Sequence, residues 1–233
     1  MPRTARIAPK EFVYHVLTRG NNKQDIFLDT EDYQKYLSII QKYKEKYGFK
    51  LYHYVLMANH VHLVIEPSAT GGELSQIMKG INLSYAQCFK VKYKHVGHFW
   101  QDRYKSIIIA KDEYLLACGS YVELNPIRAG IVKKLTEYPW SSYHANAYGK
   151  KDELVDAHII YGNLSNSENI RREYRKFIQE MLKKNKAMAG EMERKTIYGG
   201  GNFALQMQKR FKLEAIIKKR GRPKKEVADV ENK

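Results

Sequence analysis

Four residues have the chemistry and the spacing to act together: His60 and His62 in the run His60-Val61-His62, and Tyr121 and Asn125 further along the chain. Side chains two apart on a strand share one face. Two neutral imidazoles placed so can hold a divalent cation once at least one more protein ligand joins them. Tyr121 and Asn125, at i and i+4, share one face of a helix. Asn125 offers a hard carbonyl oxygen, which suits Mg²⁺ or Mn²⁺ beside imidazole nitrogens. The Tyr121 hydroxyl, as phenolate, can attack phosphorus. Its unperturbed pKa of ~10 requires a base, a metal or a nearby cation to activate it. Each residue alone has a plainer explanation: strand histidines bonded to water, a half-buried tyrosine, an Asn-Pro helix stop. Asn125 precedes Pro126, so the last turn there is expected to be irregular. His15 and His53 also fall in strand-like runs and read as hydrogen-bonded structural histidines.

The elements that must position these groups follow from periodicity. Phe12 to Arg19 is β-branched and aromatic and ends at Gly20-Asn21-Asn22, which reads as a strand and a loop. Asp29-Thr30 caps a helix with apolar positions Tyr33, Tyr36, Leu37, Ile40 and Tyr47, closed by Gly48. Leu51 to Met57 and His60 to Glu66 read as strands joined tightly by Ala58-Asn59. Val61, Leu63 and Ile65 form the apolar face of the second of these, leaving both histidines on the open face. Leu74, Ile77, Met78, Ile81, Tyr85 and Phe89 make an amphipathic helix. His98 to Ala110 reads as a fourth strand, and Glu113 to about Asn125, started by Asp112, as a third helix.

The order β-α-β-β-α-β, then a helix, predicts an α+β, ferredoxin-like antiparallel sheet. Both early helices cover one face. The third helix can lie across the open face and bring Tyr121 and Asn125 to the histidines. Residues 1–145 are read as this catalytic domain, 146–217 as a basic, mostly helical extension, and 218–233 as a disordered tail. A helix rich in Arg and Lys runs from about Arg171, and Gly199-Gly200-Gly201 separates it from a second near Phe203 to Ile217.

Composition narrows the partner. The chain of 233 residues carries 41 Lys and Arg against 25 Asp and Glu, a net charge of +16, which calls for a polyanion. Nucleic acid fits best, because neutralising phosphates releases counterions. No run approaches the ~18 apolar residues of a membrane span, and the basic N-terminus has no apolar export segment. Cys88 and Cys118 lie in apolar helical patterns without metal-site spacing. A cytoplasmic, nucleoid-associated protein with no membrane partner is the expectation. Arg103 and Lys105 alternate with aromatic side chains after Phe99-Trp100, a pattern that suits phosphates and bases of a single strand. Arg220-Gly221-Arg222-Pro223 matches an AT-hook core, whose two arginines would lie in a narrow A·T-rich minor groove.

Together the segments FVYHVLTRGNNKQDIF, LDTEDYQKYL, MANHVHLVIEP, GHFWQDRYKSIII and SYVELNPIRAGIV resemble the REP-associated tyrosine transposases. These form part of the single-tyrosine, IS200-like branch of the HUH nucleases. The resemblance spans about residues 11 to 145. It implies cleavage and rejoining of single-stranded DNA near hairpins, through a covalent 5′-phosphotyrosine and a free 3′-OH. It also implies Tyr121 as nucleophile, His60, His62 and Asn125 as ligands of Mg²⁺ or Mn²⁺, and a monomer or homodimer. Two other readings stay open: a domesticated nucleic-acid-binding protein without strand transfer, and a metallophosphoesterase that uses water in place of Tyr121.

Overall fold

The structure is a computed structural model that describes residues 8–10, 12–111, 113–157, 167–184 and 196–211. The first apolar run becomes a strand, β1 (Val13–Arg19), with two different faces. Tyr14 and Val16 join a core with two helices, while Val13 joins a second core on the opposite side of the sheet. Helix α1 (Thr30–Tyr47) begins where the Asp29 carboxylate accepts from the Asp32 N–H, and it ends at Gly48 with φ 65°. Strands β2 (Lys50–Met57) and β3 (His60–Glu66) form a hairpin over Ala58-Asn59. Helix α2 (Leu74–Tyr93) turns Leu74, Ile77, Met78, Ile81, Tyr85 and Phe89 inward, the stripe its periodicity predicts. Lys92 then ties it to the start of α1 through Asp29 at 2.7 Å and Asp32 at 3.0 Å.

Strand β4 is Lys105–Ile109, much shorter than the run from His98 suggests. Phe99 is buried against Tyr85 and Phe89 of α2, and the Trp100 indole N–H donates to the Asn82 carbonyl at 2.9 Å. Their apolar character therefore serves packing on α2, with only a single bridge between Gly20 and Trp100. The sheet order is β2-β3-β1-β4, antiparallel throughout, which is the ferredoxin-like arrangement. One strand was not anticipated: β5 (Ile197–Tyr198) pairs parallel to β4 and extends the sheet to five.

The second sheet face is covered. Helix α3 (Glu113–Glu123) lays Leu115, Cys118, Tyr121 and Val122 onto Val13, Tyr52, Val55, Val64, Ile107 and Ile109. It stops two residues before the expected end. Leu124 leaves the helix and a four-residue helix, α4 (Asn125–Arg128), starts with Pro126 in its first turn, where a missing N–H has no consequence. Leu124, α5 (Tyr143–Tyr148) and α6 (Glu168–Lys184) enclose a third core around Tyr143, Tyr174 and Ile178. Helix α7 (Gly201–Phe211) follows β5, and the expected continuation to Ile217 lies outside the described residues. The free edge of β2 is sealed by the chain after α4. The Leu56 N–H donates to Trp140 O, the Ser142 N–H to Tyr54 O and the Asp156 N–H to Leu51 O.

Candidate active site

Antiparallel pairing places the site at one end of β1 and β3. In that register Arg19 sits opposite His60 and Leu17 opposite His62. His60 and His62 have ring centres 5.0 Å apart. Helix α3 lies across their face, as the order of elements predicts, and His62 is only 1% exposed while His60 is half-buried. The Tyr121 ring is 2% exposed and lies edge-on to His62 at 5.8 Å and to His15 at 5.7 Å. The structure thus brings the nucleophile candidate and the histidine pair together within one chain.

Hydrogen bonds set the character of each imidazole. The Asn59 amide nitrogen donates to the Lys23 carbonyl, which turns its oxygen to His60 Nδ1 at 2.6 Å. His60 therefore donates from Nδ1, so Nε2 is the nitrogen through which it could ligate a metal. His62 Nδ1 lies 2.8 Å from His15 Nε2, with the two rings stacked. Burial holds His62 well below the usual histidine range, and the neighbouring His15, His60, Arg19 and Arg128 push it further down. Burial, helped by Lys105, lowers His15 to about 3. Both stay neutral, which suits ligation. His15 is therefore an integral neighbour of His62, not only a structural residue of its strand.

Asn125 folds back on its own helix end, its amide nitrogen donating to the carbonyls of Tyr121 at 2.9 Å and Val122 at 3.1 Å. That bond pattern leaves the side-chain oxygen as the atom for a cation. The donor set, two imidazoles and a carbonyl oxygen, fits a divalent cation of borderline to hard character. No carboxylate belongs to it: among the described residues no three His, Cys, Asp or Glu side chains gather into a metal cluster.

Three residues of the site escape a reading by strand and helix spacing alone. Arg128, seven positions after Tyr121, places its guanidinium 4.4 Å from the centre of the Tyr121 ring. Arg19 lines a shallow cavity of about 130 Å³ with Leu17, Arg103 and Lys105. Arg103 and Lys105 are exposed there, beside the site rather than within it, and Tyr104 between them is buried. Glu123, two residues past Tyr121, is wholly buried. It accepts hydrogen bonds from Ser142 Oγ at 2.6 Å, Asn146 Nδ2 at 2.8 Å and Tyr174 OH at 2.7 Å, with His53 Nδ1 at 3.0 Å. These partners hold its carboxyl below the usual range even though burial pushes the other way. The signal for it was a lone acid in an apolar helix. His53 is the structural histidine its sequence context suggests.

The profile of the family described as "Transposase IS200 like" matches residues 9–125, which run from the start of β1 to the candidate ligand Asn125. The chain belongs to the IS200-like transposase family. Among solved structures, a REP-associated tyrosine transposase bound to a REP hairpin shares 21% identity. It covers 67% of this chain and 95% of its own, with a TM-score of 0.55, a likeness of fold. A Deinococcus radiodurans R1 protein named as a candidate transposase shares 15% identity, covering 56% of this chain and 92% of its own at a TM-score of 0.37. No curated protein matches the sequence. Membership in the IS200-like family makes DNA the partner class and transposition the process. No described helix is long and apolar enough to cross a membrane.

Proposed function

We propose that this IS200-like transposase cleaves and rejoins single-stranded DNA beside hairpins, with Tyr121 as nucleophile. The observation that carries the reading is the packing of the Tyr121 ring against His62 and His15 of its own chain. In this reading His60, His62 and Asn125 would hold Mg²⁺ or Mn²⁺. When bound, the cation supplies Lewis acidity toward a non-bridging oxygen of the scissile phosphate. His60 and His62 would fix the position of that cation; Asn59 fixes the His60 ring through its Nδ1–H. The Tyr121 oxygen attacks phosphorus in line, the P–O3′ bond breaks, and the departing 3′-oxygen takes up a proton. The 5′-phosphotyrosine keeps the phosphodiester reactive, so another 3′-OH can displace Tyr121 and join strands. Arg128, whose guanidinium lies 4.4 Å from the centre of the Tyr121 ring, is placed to meet the incoming phosphate. Arg103 and Lys105 guide the flanking strand. Arg220 and Arg222, outside the described residues, are kept as an anchor for AT-rich duplex.

The test is a denaturing gel with labelled single-stranded hairpin DNA taken from sequence flanking the gene, run with Mn²⁺, Mg²⁺ or EDTA. The native chain gives a metal-dependent adduct that survives SDS, and Tyr121→Phe gives none. Cleavage that persists in Tyr121→Phe would replace this reading with the water-using phosphoesterase. Binding without cleavage across several hairpins would replace it with the binding protein.

A further inference from the structure

His60 and His62 are each held by the same ring atom. Asn59 engages Nδ1 of His60 at 2.6 Å, and His15 engages Nδ1 of His62 at 2.8 Å. Nε2 is then the nitrogen of each ring left to meet a cation. The Asn59 oxygen can only accept, so it fixes a proton on Nδ1 of His60. His15 can accept or donate, and the two directions have opposite consequences. If His15 Nε2 donates, the proton of neutral His62 sits on Nε2 and no lone pair there faces a cation. If His15 Nε2 accepts, His62 is protonated on Nδ1 and its Nε2 lone pair is available. Strand register makes the contact. His15 lies opposite Val64, so His62 is its diagonal neighbour on the same sheet face. The ring planes are 15° apart, which keeps the N–H of one ring in line with the lone pair of the other. His15 is 1% exposed, and its Nδ1 is buried with no hydrogen-bond partner among the described residues. A buried, unsatisfied nitrogen costs stability, so packing alone is a poor reason for an imidazole here. A role in holding His62 accounts for it.

We infer that His15 is a positioning residue of the cation site. It accepts a hydrogen bond from Nδ1 of His62, which fixes the His62 proton on that atom and leaves the Nε2 lone pair for the cation. The inference rests on His60 and His62 as ligands under the proposed function, and it adds the residue that makes His62 competent as one. His15 carries its own proton on Nδ1 and forms no bond to the cation or to DNA. Asn59 does for His60 what His15 does for His62, so each candidate ligand has its own acceptor. Loss of such an outer partner typically weakens metal binding by about 10–100-fold.

The experiment titrates Mn²⁺ into the full-length Tyr121→Phe chain with a saturating single-stranded hairpin oligonucleotide, so that no cleavage intervenes. Unbound Mn²⁺ is followed by electron paramagnetic resonance. The same complex carrying His60→Ala and His62→Ala supplies the background of Mn²⁺ on the DNA. Adding His15→Phe, which cannot accept a hydrogen bond, should weaken Mn²⁺ binding by at least about tenfold. Adding His15→Gln, whose carboxamide oxygen can accept, should leave it within about threefold of the parent. Equal affinity in the parent and His15→Phe overturns the inference, and so does an equal loss in the two His15 variants. A second readout needs no substitution at His15. With isotope-labelled histidine and Mg²⁺ in place of Mn²⁺, nitrogen NMR of the parent complex shows which ring atom of His62 bears the proton. Nδ1–H on His62 is expected; a proton on its Nε2 overturns the inference whatever the variants do. A parent that binds no Mn²⁺ above the background removes the ligand assignment, and the inference with it. A failure confined to the His15 comparisons or to the His62 proton leaves the ligand assignment standing, and adduct formation by the unsubstituted chain scores the nucleophile separately.

Discussion

Replacing Glu123 by alanine would strip the acceptor from Ser142, Asn146, Tyr174 and His53 at once in a fully buried place. Breaking a buried charged network from one side costs about 3–5 kcal/mol. Urea unfolding should show a loss in that range for Glu123→Ala and a smaller one for Glu123→Gln, which keeps one acceptor oxygen. The histidine pair gives a pH signature of its own. His15 and His62 are neutral when folded, with His15 lowered to about 3. The unfolded chain protonates both below its ordinary histidine value of about 6.5, so it binds more protons than the native state. Their contribution to stability is complete above that value and drains away as pH falls toward the folded values. Each histidine can add up to about 1.4 kcal/mol per pH unit to the slope below about pH 6. Urea midpoints at a few pH values between about 7 and 5 should fall steadily, and less steeply in His15→Gln. A flat profile in the native chain would show that neither ring is held neutral.

At the scale of elements, the approach of α3 to β2 depends on a residue without a side chain. A Cβ at Gly119 would lie 2.3 Å from the His53 ring. Gly119→Ala therefore has to push the helix that carries Tyr121 off the sheet. Its helix propensity returns about 1 kcal/mol, against overpacking of about 1–3 kcal/mol. Thermal unfolding should fall by a few degrees while adduct yield falls much further, since Tyr121 moves relative to His62. The first three strands and first two helices were legible because each buries one regular face, so spacing alone reports them. Spacing gave Tyr121, His60 and His62 each a definite face of a strand or helix, but only the resemblance to the tyrosine transposases joined them into one site. The long fourth strand was not, because Phe99 and Trp100 are apolar for contact with α2 rather than for sheet pairing. The break at Leu124 is marked only by Pro126, and β5 is two residues long, too short for any periodicity. Arg128 was missed because its partner is an aromatic ring across a helix break, and Glu123 because its four partners lie 19 to 70 residues away.

For the molecule as a whole, both outer strands are occupied, β2 by residues 138–156 and β4 by β5. Among the described residues no long row of backbone donors is left for a second copy, and Tyr121 already meets His62 and His15 of its own chain. Light scattering should therefore give a mass near 27.3 kDa for the DNA-free chain. Helix α6, which the sequence marks as rich in Arg and Lys, spends Arg175 on the Ala147 carbonyl and Glu168. Its apolar stripe, Tyr174, Ile178 and Met181, closes the third core. A chain ending before residue 167 should lose several kcal/mol of stability, because it removes Tyr174, Ile178 and Met181 from the third core and one of the four partners of Glu123. The seal on β2 also has a timetable. The strand is complete at Met57, but its cover reaches only as far as Asp156. At 5–20 residues per second, a ribosome needs roughly 5–20 s to make the difference. For that interval each nascent chain offers an unpaired edge to its neighbours on the same message. A pause or a premature stop between the two points would yield a sticky fragment, and the burden of preventing it falls on chaperones at the tunnel exit.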